Sequence, residues 1–146
     1  MAPMPEPHGP DVGPLEAALD RVGDRWSLLI VEALLDGSRR FGELGERLPG
    51  IAPNILSERL RRLEREGIVR STPYQQRPVR MSYALTADAR DLASALRLLA
   101  DWGARRTGGA EPIHHELCGT PLEVHWYCPT CSVVVDAAQA AEMRVL

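Results

Sequence analysis

Four potential metal ligands lie close together near the carboxyl end of the sequence. All three cysteines of the 146-residue chain fall in this stretch, together with a histidine, and the spacing is His-x2-Cys-x9-Cys-x2-Cys. Thiolates and imidazole at such intervals are typical of a tetrahedral Zn²⁺ site. The predicted ligands are His115, Cys118, Cys128 and Cys131.

The identity of the fourth ligand is open, because three histidines lie near the cysteines. His115 has the preferred spacing, His114 is one residue away, and His125 lies in the predicted strand between two knuckle-like turns. A closed four-ligand site leaves no position for substrate or water, so we expect one structural zinc per chain. A module of about 25 residues would depend on that metal to fold. A zinc- or redox-responsive sensor at the same residues is the alternative.

Positive charge is concentrated in the middle of the chain. Between Arg39 and Arg80 there are ten arginines and five glutamates, a net charge of +5, although the whole chain carries −3. A local basic segment of this kind favours contact with nucleic acid despite the acidic average. Acidic residues or arginines interrupt every apolar run, so no stretch approaches the roughly 18 residues needed to cross a bilayer. We expect a cytoplasmic protein.

The amino-terminal half of the chain has the periodicity of four helices. A first helix begins at Pro14 and ends near Gly23, and a second, almost fully apolar helix begins after Asp24, which can cap it, and ends at Asp36. A short third helix carries Phe41, Leu44 and Leu48 at helical spacing, and a fourth runs from about Pro53 to Glu66.

Two strands and a last helix follow. A strand begins at Ile68, and Val79–Leu85 alternates with period two, so the two runs predict a hairpin. The polar connection from Ser71 to Pro78 predicts a projecting loop, and Thr86 predicts the cap of a long helix that ends near Arg106.

This order of elements is that of a winged helix-turn-helix, a mainly α fold with a β-hairpin wing. A small zinc-ribbon-like module is expected to follow it. The predicted parts are a disordered leader (1–13), a winged helix-turn-helix domain for DNA binding and dimerisation (14–106), a linker (107–112), the zinc-ribbon-like module (113–136) and a carboxyl-terminal tail (137–146).

Several phrases of the sequence resemble signatures of the HxlR-type winged-helix transcriptional regulators. They are DRWSLLI, RRFGEL, LPGIAPNILSERLRRLEREGIV and PVRMSYALT, and the resemblance covers about residues 14–106. It implies a homodimer that binds double-stranded DNA at a palindromic operator. Some members of the family also carry zinc-ribbon tails similar to this one. Many members that sense oxidants have a cysteine before the first helix, where this chain has Gly13, so that sensing chemistry is absent from its usual place.

The resemblance assigns the DNA contacts to the fourth helix and the wing. The fourth helix would present side chains to the major groove from its first turns, and arginines before the third helix and in the wing would bind phosphate. The expected DNA-binding residues are Arg39, Arg40, Asn54, Ser57, Arg61, Gln76, Arg77 and Arg80. Glu58 could accept a hydrogen bond from cytosine, but it is expected to pair with Arg62 one turn later.

The last long helix is expected to form the dimer interface, together with the first helix. Its apolar stripe has a nearly heptad rhythm and consists of Leu92, Leu96, Leu99 and Trp102. The predicted function is therefore a dimeric transcriptional regulator, most simply a repressor, with an unknown small-molecule effector. The rival interpretation is an interaction module that binds protein and no DNA. An enzyme is not expected, because the sequence shows no nucleophile–base pair and no phosphate loop.

Overall fold

The computed structural model describes residues 12–108, 111 and 113–135; most of the predicted leader and all of the predicted tail lie outside this part. The chain divides into two compact units, Met1–Leu98 and Leu99–Leu146. The helices are α1 (Pro14–Val22), α2 (Arg25–Leu34), α3 (Phe41–Arg47), α4 (Pro53–Arg65) and α5 (Leu92–Thr107). The strands are β1 (Arg39–Arg40), β2 (Val69–Gln76), β3 (Val79–Leu85), β4 (Trp126–Cys128) and β5 (Val133–Val135).

Helix α2 is the centre of the first unit. The side chain of Asp24 accepts a hydrogen bond from the backbone N–H of Ser27, so it caps the helix as the sequence predicts. Ile30 and Val31 are fully buried, and Leu34 is almost so. Around them pack the inner faces of α3 and α4 and the start of the sheet, with Leu44, Leu48, Leu56, Leu60, Leu63, Ile68, Val69 and Leu85.

A sharp turn separates α3 from α4. Helix α3 ends at Arg47, and the carbonyl of its C-cap residue Leu48 accepts a hydrogen bond from Ile51 N–H at 3.2 Å. Gly50 between them has φ +89°, a conformation that a side chain would strain. Pro53 then begins α4 at a position where its missing N–H costs nothing. The turn sets the direction in which α4 leaves α3.

The first unit has one three-stranded antiparallel sheet in the order β1-β3-β2. The segment predicted as a loop, Ser71–Pro78, is mostly strand: β2 continues through Gln76 and pairs with β3 from Val69↔Leu85 to Gln76↔Val79. The register shifts between Pro73 and Gln75, which leaves Tyr74 at an irregularity. The wing is therefore a long hairpin whose tip is formed by Arg77 and Pro78. With α3 and α4 it completes a winged helix-turn-helix fold.

The last helix begins later than the sequence predicts. Thr86 does cap a helical turn, because its Oγ1 accepts the N–H of Ala89 at 3.3 Å, but that turn is a 3₁₀ helix, Asp88–Asp91. Helix α5 follows at Leu92 and ends at Thr107, one residue into the predicted linker. No helix within the part of the chain that the structure describes is long and apolar enough to cross a membrane.

The carboxyl-terminal part of the second unit contains two small hairpins. In the first, Leu122 N–H donates to Ile113 O at 2.7 Å and His115 N–H donates to Thr120 O at 2.9 Å. The second pairs β4 with β5, in the register Trp126↔Val135 to Cys128↔Val133. Each hairpin carries cysteine at its turn.

Candidate nucleic-acid interface and metal site

One face of α4 is exposed, polar and nearly continuous. Asn54, Glu58, Arg61 and Arg65 lie on it at helical spacing and are exposed, and Ser57 beside them is half-buried. The opposite face is buried, since Leu56, Leu60 and Leu63 are at most 1% exposed. Burial of one face therefore determines which side chains α4 presents to solvent, and these include the predicted residues Asn54, Ser57 and Arg61.

The ion pairs at the side of α4 differ from the prediction. Arg62 does not pair with Glu58; its Nη1 lies 3.6 Å from Asp24 Oδ2, and Arg59 Nε lies 3.0 Å from Asp24 Oδ1. Glu58 instead contacts Arg59 at 3.2 Å. The prediction was wrong because α4 packs on the start of α2, where a carboxylate distant in sequence is the nearer partner. These contacts attach the helix to the core.

Asp24 is therefore the cap of α2 and the anchor of α4 at once. Its Oδ2 accepts the Ser27 hydroxyl at 2.5 Å and its Oδ1 accepts the Ser27 N–H at 3.1 Å. Partial burial raises the pKa of Asp24, but the Ser27 hydrogen bonds and the charges of Arg59 and Arg62 lower it by more. The net pKa lies below the usual value, so this site stabilises the ionised carboxylate.

Arg39 and Arg40 precede α3, as predicted, but the structure gives them different surroundings. Arg39 Nε donates to Ala33 O at 2.7 Å, and Nη2 lies 3.7 Å from Asp36 Oδ2; the side chain is 25% exposed. Arg39 therefore stabilises the carboxyl end of α2, and its guanidinium has fewer N–H groups left to bind phosphate. Arg40 is exposed, and its guanidinium lies 4.5 Å from the centre of the Tyr74 ring.

The wing presents its three predicted residues to solvent. Gln76, Arg77 and Arg80 are all exposed at or next to the hairpin tip. Because Tyr74 of β2 holds Arg40 by a cation–π contact, the wing and the start of α3 are linked through a charged group. The structure thus places basic or amide side chains on α4, on the wing and at the entrance to α3.

The predicted metal ligands form two pairs. His115 Nδ1 lies 3.3 Å from Cys118 Sγ in the first hairpin, next to Gly119 with φ +68°. In the second hairpin, Ser132 has φ +57° and its N–H donates to Cys128 O at 2.8 Å, so the chain turns back between Cys128 and Cys131. Turns of this kind aim backbone N–H groups at the sulfurs.

Hydrogen bonds within these turns act on the thiols. Hydrogen bonds with Thr120 lower the pKa of Cys118, and hydrogen bonds with Cys131 and Thr130 lower that of Cys128. The pKa of Cys131 is raised by its hydrogen bond to Cys128 and by the charge there. Thiolate ligands are what a zinc ion requires.

The two pairs are not joined into one cluster. Among the described residues, no three histidine, cysteine or acidic side chains come together in a group that could hold a metal ion. His125 Nε2 lies 3.1 Å from Glu123 Oε2. The chemistry of the donors fits zinc, since they are three thiols and an imidazole, but the structure holds them as two separate pairs.

The predicted dimer stripe on α5 divides into two parts. Leu92 and Leu96 are half-buried and pack against the core of the first unit. Leu99 and Trp102 are 53% and 51% exposed. On α1, Leu15 and Leu19 are 72% and 50% exposed. Each of these two helices therefore has uncovered apolar side chains.

Two residues of the basic surface were absent from the predicted set. Arg65 continues the exposed stripe of α4, and its position eleven residues after Asn54 could have identified it. Tyr74 lies in a segment predicted as a loop, so its contact with Arg40 depends on strand pairing that the local sequence does not show.

Comparison with known proteins identifies relatives that have the same fold. Residues 21–110 match the model of the HxlR-like helix-turn-helix family. The HTH-type transcriptional regulator Rv3095 of Mycobacterium tuberculosis is 38% identical over 124 residues, which cover 82% of this chain and 78% of that protein. YvaP of Bacillus subtilis, also an HTH-type transcriptional regulator, is 42% identical over 87 residues, 60% of this chain and 81% of the relative.

Two solved structures give the same result. The redox regulator HypR in its reduced form is 33% identical with a TM-score of 0.61, over 65% of this chain and 94% of HypR. The proposed transcription factor PA1374 of Pseudomonas aeruginosa is 34% identical with a TM-score of 0.65, over 86% of this chain and 88% of its own. The chain therefore belongs to the HxlR-like helix-turn-helix family, and it is a transcriptional regulator with a helix-turn-helix DNA-binding domain and not an enzyme.

Proposed function

We propose that the protein is a homodimeric repressor that binds a palindromic operator through the exposed face of α4 and through the wing. The observation that carries this proposal is the exposed stripe of Asn54, Arg61 and Arg65 on a helix whose other face is buried. A helix held in this way can enter the major groove without disturbing the core, and Asn and Arg are the side chains that pair bidentately with adenine and guanine.

Phosphate contacts come from the arginines around this face. Arg40, Arg77 and Arg80 are exposed, and none of them forms an ion pair within the described residues. Such arginines displace counterions from DNA and make the affinity strongly dependent on salt. Arg39 contributes mainly by fastening α2, because its guanidinium already binds Ala33 O and lies near Asp36.

Dimerisation would use the uncovered apolar side chains of α1 and α5. Leu15 and Leu19 on α1, and Leu99 and Trp102 on α5, are too exposed to stabilise the monomer. Two copies bound to successive major grooves would recognise half-sites about one helical turn apart. Since its target is DNA, the protein is expected to act in the cytoplasm.

Selection of genomic DNA fragments by the purified protein tests this function. We expect enrichment of a palindromic sequence, and an affinity that falls by orders of magnitude as salt rises from about 50 to 200 mM. Charge reversal at Arg61 should abolish the enrichment, whereas Arg90→Glu, which changes an exposed arginine elsewhere in the first unit, should retain it. Recovery of a protein partner instead, with no enriched DNA, would favour the interaction-module alternative.

We further propose that one zinc ion joins the two cysteine-bearing turns and is structural. None of the described residues from 113 to 135 is buried, so this module lacks an apolar core of its own. A zinc ion bound by Cys118, Cys128, Cys131 and a histidine would supply the missing stability. His115 is the favoured histidine because it already contacts Cys118, whereas His125 contacts Glu123.

Metal analysis of matched variants tests the zinc site. Protein purified without chelator should contain one zinc per chain, and Cys128→Ser should contain almost none. Among the histidine variants, His115→Asn should lose zinc while His114→Asn and His125→Asn retain it. If oxidation released the zinc and changed DNA affinity together, the site would be a sensor and the structural role would be wrong.

A further inference from the structure

The first unit contains a cavity of about 530 Å³ that has no role in the contacts described above. One wall is the face of α2 that carries Arg25, Trp26 and Leu29. The end of α3 and Arg97 of α5 also line the cavity. The volume lies within the range of about 300–1,000 Å³ that small-molecule sites occupy.

The lining of the cavity combines polar and apolar side chains. Among its apolar members, Trp26, Leu29 and Leu35 are half-buried, and Ala33 and Leu48 are buried. The Arg25 guanidinium lies 4.8 Å from the centre of the Trp26 ring. A flat ligand could use the same indole as a stacking surface, beside a cation that is already in place.

The charges at the rim leave a net positive charge. Arg47 is neutralised by Asp36, whose carboxylate lies 3.1 Å away. Arg25, Arg97 and Glu32 remain, and none of the three forms an ion pair within the described part of the chain. Two arginines and one glutamate attract a single negative charge, and Glu32 disfavours ligands that carry several, such as nucleotides.

We propose that this cavity binds a small planar aromatic carboxylate. The aromatic ring would lie on Trp26 and against Leu29, and the carboxylate would accept hydrogen bonds from Arg25 and Arg97. Arginine suits this task because its planar guanidinium can donate two parallel hydrogen bonds to a carboxylate.

The position of the cavity also couples ligand binding to DNA binding, and this part of the inference rests on the proposed function. Leu48 and Pro49 line it, and they belong to the turn that sets the direction of α4. If the ligand contacts this turn more favourably in one orientation of α4 than in another, its binding shifts the population towards that orientation. The fraction of protein able to bind DNA then changes. The class of effector is therefore an aromatic acid.

Isothermal titration calorimetry with 2-naphthoate tests the site without reference to DNA. The uncharged amide of the same skeleton, 2-naphthamide, is the ligand control. We expect 2-naphthoate to bind the full-length protein at least about tenfold more tightly than the amide, since only the acid uses the arginine charges. Arg97→Gln and Arg25→Gln should each lower the affinity for 2-naphthoate by about fivefold or more and leave the affinity for the amide unchanged. Arg90→Gln, an exposed arginine outside the cavity, should bind 2-naphthoate as the wild type does.

The outcomes separate the site from its regulatory role. The proposed site would be contradicted if 2-naphthoate and 2-naphthamide bound equally well, or if the Arg97→Gln and Arg90→Gln variants bound 2-naphthoate with equal affinity. The Arg97→Gln variant should unfold at the same temperature as the wild type, which checks that the variant is folded. If 2-naphthoate bound as expected but left the affinity for a selected DNA fragment unchanged, the link through Leu48 and Pro49 would be wrong and the site would stand. If the protein bound no DNA at all, the calorimetry would still decide whether the cavity takes aromatic acids.

Discussion

Individual polar side chains on α4 divide into those that are exposed, as the proposed DNA contacts require, and those that attach the helix to the core. Asn54 and Arg61 are exposed on α4, whereas Arg59 and Arg62, on the same helix, are drawn to Asp24. All four would look equivalent in a list of polar residues on an amphipathic helix. What separates them is packing: the side of α4 next to α2 meets a carboxylate, and the outer face meets solvent.

Asp24→Asn should lower the free energy of unfolding by about 1 kcal/mol near pH 7, because it removes the charge that Arg59 and Arg62 face. The pKa of Asp24 in the folded protein lies below its usual value, so its contribution is present above the unfolded pKa and is lost as pH falls through the folded pKa. Urea denaturation from pH 7 down to pH 3 should therefore show the two proteins converging.

Asp88→Asn is the matched control, since Asp88 is an exposed acid with no ion pair within the described residues. It should change the unfolding free energy little at any pH. A difference between wild type and Asp24→Asn that stayed constant down to pH 3 would contradict the assigned role of the ionised carboxylate.

At the scale of elements, the sequence predicts helices better than it predicts strands. The four helices before the wing were predicted nearly to their ends, because apolar residues recur at helical spacing and Asp24, Pro53 and the glycines mark the boundaries. The segment Ser71–Pro78 was predicted as a loop, since it is polar and contains two prolines. Its strand form depends on hydrogen bonds to β3, which local composition does not reveal.

The same distinction applies to the site. The outward residues of α4 and the tip of the wing could be read from periodicity, and the structure places them at the surface as predicted. Periodicity does not predict the Arg39–Ala33 hydrogen bond, the Arg40–Tyr74 contact or the Asp24 ion pairs, because each joins elements that are brought together only by folding. The zinc site that the cysteine spacing predicts stays a prediction.

The wing is predicted to depend on the ring of Tyr74. Tyr74→Ala removes the surface on which Arg40 lies, so DNA affinity should fall by about two- to fivefold, in line with a cation–π contact of about 0.5–1 kcal/mol. Tyr74→Phe keeps the ring and should bind DNA as the wild type does. Equal losses in both variants, measured by fluorescence anisotropy, would show that the hydroxyl and not the stacking matters.

At the scale of the whole molecule, the distribution of charge matters more than its total. The chain carries −3 overall, yet the segment that includes α3, α4 and the wing is positive. The negative remainder limits non-specific attraction to DNA, while the local positive charge directs one surface towards it. Apolar side chains are left exposed on α1 and α5, where the proposed dimer would bury them.

Trp102→Glu is predicted to convert the dimer into a monomer, because it places a charge among side chains that would be buried between the two copies. Analytical ultracentrifugation at micromolar concentration measures the change. Trp126→Glu alters another exposed tryptophan, 61% exposed on β4, and should remain dimeric. A Trp102→Glu variant with wild-type sedimentation would remove α5 from the interface.

The most direct test of the account is the base preference of α4 variants. Selection from a random DNA library should give wild type a palindromic site, and Asn54→Ala and Arg61→Ala should each lose preference at one position per half-site while binding about 1–3 kcal/mol more weakly. Arg77→Gln should weaken binding to all sequences alike and reduce the salt dependence. Unchanged base preferences in both α4 variants would contradict the claim that this face of the helix reads DNA.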